Sequence, residues 1–198
     1  MKRFLSSMCV AFVFLFIFAM IPFEGECRSI SDNVLRVHIL ANSDSKEDQA
    51  LKLKVRDALL SQGEFLYSDA HSKEEAQRIT SDNLDYFARL AHNTLKENGY
   101  DYPVSAQMAN VCFDTRHYDN ITMPGGYYDA LQIKIGKAQG KNWWCVMYPS
   151  LCIGAAAGSD TLENKLTTDQ YTIVNSHDKY VFKFKIVEIF NSFVNLFS

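Results

Sequence analysis

The chain has 198 residues, 20 Lys and Arg against 23 Asp and Glu, and a hydrophobic share of 47%. That length accommodates one domain with a real core once a leader is set aside. Without Lys2 and Arg3, 18 basic residues face 23 acidic ones, a net charge of −5. Mild acidity without basic clusters argues against nucleic acid as a partner and against general adhesion to anionic lipid.

Met1-Lys2-Arg3 is a short basic segment, and the apolar run that follows from Phe4 to Phe23 is broken only by Ser6 and Ser7. This is the layout of a secretory signal peptide, and it is also nearly long enough to span a bilayer. A cleaved signal and an uncleaved N-terminal anchor, over residues 1–27, both fit. Either way the remainder is expected to be exported, outside the cytoplasm, and membrane-associated where this segment stays as an anchor.

Val34 to Leu40 reads as a first strand, ending in the polar turn Ala41-Asn42-Ser43-Asp44-Ser45. Asp44 is placed to cap a helix, with Glu47 three residues on. That helix, Ser45 to about Ser61, puts Leu51, Val55, Ala58 and Leu59 on one face, and Gln62-Gly63 is expected to stop it. Ser72 and Glu75 form a better capping box, opening a helix to about Asn98 that the Thr80-Ser81-Asp82 cluster can kink or divide. Gly99 is its expected C-cap.

Strands follow. Asp101 to about Thr115 alternates, Met123-Pro124-Gly125-Gly126 is a turn, and Tyr128 to Ile135 alternates again. Gly136 to Lys141 is a hairpin-type loop from which Asn142 to Tyr148 is expected to return antiparallel beside the preceding strand. The order predicts an α+β fold: a two-layer domain over residues 30–153, with an antiparallel-rich sheet packed by two helices. Residues 154–178 read as a loop or linker. Residues 179–198 read as a C-terminal amphipathic helix whose broad apolar face suits a core or a membrane interface.

Trp143 and Trp144 are adjacent, so in a strand they point to opposite faces. Cys145 and Cys152 flank Pro149, a spacing that lets two thiols meet. In an exported protein a disulfide between them is the leading pairing, against two buried thiols. The pairing of Cys27 and Cys112 stays open.

No nucleophile elbow, HExxH, phosphate loop or CxxC occurs. His38 lies near Asp44 and Asp48 in sequence, but no second histidine falls at ligand spacing, so no metal or cofactor is expected. Cys112 with His117 could make a nucleophile pair, yet nothing signals a lowered thiol pKa. No catalytic set stands out. Arginine and aromatic side chains are instead the types that anchor protein interfaces.

LRVHILANSDSKEDQALKLKVRDALL (Leu35 to Leu60), FDTRHY (Phe113 to Tyr118), MPGGYYDALQIKIG (Met123 to Gly136) and GKNWWCVMYPSLC together resemble the stage II sporulation protein R family of endospore-forming bacteria. The likeness runs from Val34 to Ile153, and KIVEIF resembles the family's closing helix. Pro124-Gly125-Gly126 departs from the family's Pro-Ala-Gly. The resemblance implies a signal made in the forespore, exported to the space between forespore and mother-cell membranes. There it activates a membrane-embedded aspartic protease, which removes the pro-segment of the early mother-cell sigma factor. It implies no catalytic residues for this chain. The candidate contact residues are Asn42, Asp44, Asp48, Arg116, Tyr118, Asn142, Trp143 and Trp144. The rival readings are an exported cell-wall or peptide hydrolase and an adhesin-like module held by the C-terminal helix.

Overall fold

A computed structural model of the chain describes residues 2–67, 70–118, 121–149 and 166–195. In chain order its elements are α1 (Lys2–Asp32), β1 (Leu35–Leu40), α2 (Lys46–Leu66), α3 (Lys73–Asp82), α4 (Leu84–Glu97), β2 (Val104–Phe113), β3 (Arg116–Tyr118), β4 (Ile121–Met123), β5 (Gly126–Ile135), β6 (Asn142–Tyr148), α5 (Thr168–Asn175) and α6 (His177–Asn195). They form two compact units. One holds residues 32–112 and 127–167; the other holds 1–31, 113–126 and 168–198.

The first unit is a four-stranded sheet of order β2-β5-β1-β6 packed by helices, the α+β arrangement expected. β1 runs parallel to β5 and antiparallel to β6. Contacts 103/136, 107/132 and 110/129 keep a constant residue-number sum, which marks β2 as antiparallel to β5. The sequence expectation that β6 returns beside β5 is corrected here. β1 lies between them, so the 136–141 loop steps over β1 and is not a hairpin turn.

One sheet face carries Val37, Ile39, Leu131, Ile133, Cys145 and Met147, all nearly inaccessible. It meets α2, with Leu51, Val55 and Leu59 buried, and α3, with Ala76 buried; α4, whose Phe87, Ala91 and Leu95 recur at helical spacing and are also buried, packs against α2. Full burial of each large aliphatic side chain contributes about 1.5–3 kcal/mol, and this shared core orients the helices.

Three helix boundaries differ from expectation. The α2 cap is Ser45, whose Oγ accepts the Asp48 N–H at 3.1 Å, and not Asp44. α2 also continues through Gly63 to Leu66, because the chain beyond is anchored by buried Tyr67, whose hydroxyl lies 2.6 Å from Thr80 Oγ1. The helix opened by Ser72 divides at Asn83, whose N–H bonds Thr80 O at 3.1 Å. The Ser72 cap forms as read, its Oγ accepting the Glu75 N–H at 3.2 Å, while the return bond from Glu75 goes one residue further, to the His71 N–H at 2.7 Å.

In the second unit, β3 and β4 form a two-stranded ribbon that the sequence pattern alone merges into strand and turn. Residues 168–175, expected as linker, form α5, with Gln170, Ile173 and Val174 buried. Gln170 Nε2 donates to Ser29 Oγ of α1 at 2.8 Å. Phe23 of α1 lies against Tyr180 and Phe184 of α6, ring centroids 5.5 and 5.4 Å apart. Among the described side chains alone no helix is long and apolar enough to cross a membrane; the run Phe4–Phe23 includes side chains outside that set. Residues 150–165, with Cys152, and residues 196–198 also lie outside the described residues.

Candidate interaction surface

The polar turn after β1 is built by side chains that close on one another. Asn42 Nδ2 donates to Asp48 Oδ2 at 2.8 Å, and Ser43 Oγ donates to the same oxygen at 2.5 Å. Burial pushes the Asp48 carboxyl up, but hydrogen bonds from Ser43, Asn42, Tyr102 and Ser45 outweigh it and hold the carboxyl below its ordinary value. Asp48 is buried, so it supports a surface and does not contribute to one.

The 136–141 loop clasps this turn. Asn42 Oδ1 accepts the Lys137 N–H at 3.0 Å, Asp44 Oδ1 accepts the Lys141 N–H at 2.6 Å, and Ala41 O accepts the Gly140 N–H at 2.9 Å. Buried Lys52 completes the corner, donating to Lys141 O at 2.9 Å and Gln49 Oε1 at 2.6 Å. A β-carbon at Gly140 would collide with the Ser43 carbonyl. At Gly136 the backbone is left-handed, φ +57°, and a β-carbon would meet the Asn42 amide. Gly140 is thus demanded by a close approach, and Gly136 by a close approach together with its left-handed backbone.

The corner fixes the start of β6. Leu40 pairs with Asn142, Ile39 with Trp143 and His38 with Trp144, so the two tryptophans point to opposite faces as expected. Trp143 shares the helix-side face, with the Arg56 guanidinium 5.5 Å from its ring centroid. Trp144 stacks on His38, centroids 4.4 Å apart at 22°. Both indoles are half-buried and Asn142 is exposed. In the described sheet β6 is an end strand, so one partner lying along that edge can reach both rings.

On the Trp144 face a single register row crosses all four strands. Gln107 Nε2 donates to Gln132 Oε1 at 2.9 Å, Gln132 Nε2 lies 3.0 Å from His38 Nδ1, and His38 meets Trp144. Burial drives the His38 pKa down to about 4, against a hydrogen bond to the Asn142 side chain that favours the charged ring. One row over, fully buried Arg36 places its guanidinium 4.8 Å from the Tyr128 ring centroid. Sequence reasoning missed this row; the signal available was Arg36 and His38 inside the otherwise apolar β1, with Gln132 between Leu131 and Ile133 in β5.

Arg116 and Tyr118 belong to the other unit, on β3. Arg116 lies 3.9 Å from Asp114, and His117 Nδ1 lies 2.9 Å from Thr122 Oγ1. His38 is stacked with its pKa lowered, and the Asp48 and Asp44 carboxylates are engaged by Asn42, Ser43 and the Lys141 N–H. Cys27 is buried in the second unit, and burial, with Glu24 and Glu26, pushes its thiol up to about 12 while Lys183 opposes. Among the described residues no group of three or more His, Cys, Asp or Glu is arranged to hold a metal. Cys145 is buried within β6, and its expected partner Cys152 lies outside the described residues.

A family model described as Stage II sporulation protein R matches residues 31–157. The protein of that name from Bacillus subtilis (strain 168) is 38% identical over 129 residues, 65% of this chain and 58% of that protein. The chain therefore covers less than two thirds of that relative's length. No solved structure matches.

Proposed function

The chain belongs to the stage II sporulation protein R family, which gives it a sporulation-related role, and from that premise we propose that it is an exported signal that switches on a membrane-embedded aspartic protease. Made in the forespore and sent into the space between the two membranes, it touches the protease's extracytoplasmic part. The protease then trims the pro form of the early mother-cell sigma factor. No bond is made or broken by this chain's own side chains.

The observation that carries the reading is the corner. The matched region contains the Asn42–Asp48 turn, the 136–141 loop and Trp143-Trp144, and that framework spends its hydrogen bonds on presenting half-exposed aromatics at a sheet edge. Rigid aromatics beside an arginine are the anchors of protein interfaces. Asn142, Trp143 and Trp144 are the proposed contacts, Asn42, Asp44 and Asp48 hold them in place, and Arg116 and Tyr118 offer a second contact on the other unit. A pairing of Cys145 with Cys152 would fix the chain leaving β6.

Activation is a population shift. The signal biases the protease only by the difference between its affinities for active and inactive states, and about 3 kcal/mol of difference changes their ratio more than a hundredfold. Co-expression of this chain, the protease and its pro-protein substrate in a non-sporulating host tests it. Cleavage that depends on the chain is expected; equal cleavage without it refutes the reading.

A further inference from the structure

Helix α6 is apolar on two sides. Its inner side buries Phe184 and Val187 beside Phe23 of α1. Its outer side leaves Val181, Phe182 and Ile189 at 46%, 70% and 63% exposure. At 3.6 residues per turn these three share an arc of about 100°, with Lys185 among them and Lys179 about 60° beyond it. From Lys179 to Ile189 three lysines stand against Glu188 alone. Glu188 is already engaged, accepting from the Thr115 N–H and from Lys185, each at 2.7 Å.

The same unit carries a second exposed apolar surface. Phe4, Met8, Val10, Phe14, Leu15, Phe18 and Ile21 of α1 are each more than half exposed. The run from Phe4 to Phe23 is about 30 Å of helix, the thickness of a hydrocarbon core. It ends at Phe23, the residue that α6 packs against, and the next charged residue is Glu24. α6 therefore packs on α1 at the end of its apolar run.

We propose that α6 is a membrane-interface helix. Its outer apolar face lies in the headgroup–acyl boundary of an anionic bilayer, with Lys179 and Lys185 at the lipid phosphates, while Lys183 lies over the Phe23 ring on the inner side. The acidity of the whole chain confines the attraction to this one helix. A signal held flat at the surface meets a membrane-embedded partner at a raised effective concentration. The inference stands apart from the signalling reading, because lipid contact is measured with no partner present.

The test uses the full chain with Phe182→p-benzoylphenylalanine, and Arg89→p-benzoylphenylalanine on exposed α4 as the control. Each protein is reconstituted in vesicles of phosphatidylcholine with phosphatidylglycerol, irradiated, and analysed for lipid adducts. Position 182 is expected to form lipid adducts and position 89 few. Adding K179Q/K185Q is expected to lower the yield at 182 about tenfold, while α1 still brings the protein to the vesicles. Because Lys185 also lies 2.7 Å from Glu188, the melting curve of the double variant is compared with that of the parent. Adducts no more frequent at 182 than at 89, adducts to a second copy of the chain, or an unchanged yield in a folded double variant would each overturn the proposal.

Discussion

His38 and Trp144 face each other across the β1–β6 pairing with rings 4.4 Å apart and 22° from parallel. The stack closes the register row Gln107–Gln132–His38–Trp144 and leaves the imidazole in a place too buried to charge easily.

That burial makes stability fall on mild acidification. With its pKa lowered from 6.5 to about 4, His38 is neutral in both folded and unfolded chains at pH 7. As pH drops through 6.5 the unfolded chain binds a proton that the folded one refuses. Stability declines until about pH 4, by roughly 3 kcal/mol from this residue. Asp48, held low, loses its contribution only below the ordinary aspartate pKa of 3.8. Urea unfolding at pH 7 and pH 5 is expected to show a smaller loss for His38→Gln than for the native chain; parallel losses would count against the assignment.

Gly140 and Gly99 separate close approach from backbone freedom. A β-carbon at Gly140 strikes the Ser43 backbone, whereas Gly99, at φ +84°, has nothing within 4 Å. Gly140→Ala is expected to cost about 1–3 kcal/mol and Gly99→Ala about 1 kcal/mol. The check is the pair of denaturant midpoints, and the reverse order would mean that the clasp on the 41–45 turn is loose.

The outer edge of the corner can be altered while its buried framework stays whole. Trp143→Ala removes the ring over Arg56 without touching the buried row. At normal export and unchanged melting, it is expected to lower sigma-factor processing about tenfold, equivalent to about 1.4 kcal/mol of lost contact. Processing at the native rate in both Trp143→Ala and Trp144→Ala would remove this edge as the docking surface.

Non-reducing peptide mapping of the exported chain checks the thiols. A peptide linking Cys145 to Cys152 is expected, with reduction costing about 2 kcal/mol on the loop-entropy model. Recovery of both as alkylated thiols would exclude the bridge.

Local patterns carried much of this fold into the sequence. The alternation in β1 and β5, the Ser72 box and the opposed tryptophans could all be read because each depends on neighbours a few residues away. The place of β1 between β5 and β6 could not: GKAQGK looks like a hairpin, and only long-range pairing reveals that it steps over a strand. Ser43, Asp44 and Ser45 are all competent caps, so packing chose among them. Gly63 stays helical because burial beyond it outweighs about 1 kcal/mol of glycine penalty. The α5 signal was present in Gln170, Ile173 and Val174, at spacings of three and one, within a segment that reads as polar linker. For the contact surface, Trp143 and Trp144 were legible from residue type, while the buried work of Asp48 was not.

The most direct measurement is processing of the sigma-factor precursor in cells whose sole copy of this chain is accumulated at normal level but retained in the compartment that makes it. No processing is expected there, with recovery when export is restored. Normal processing by the retained protein would contradict action by contact across the intermembrane space.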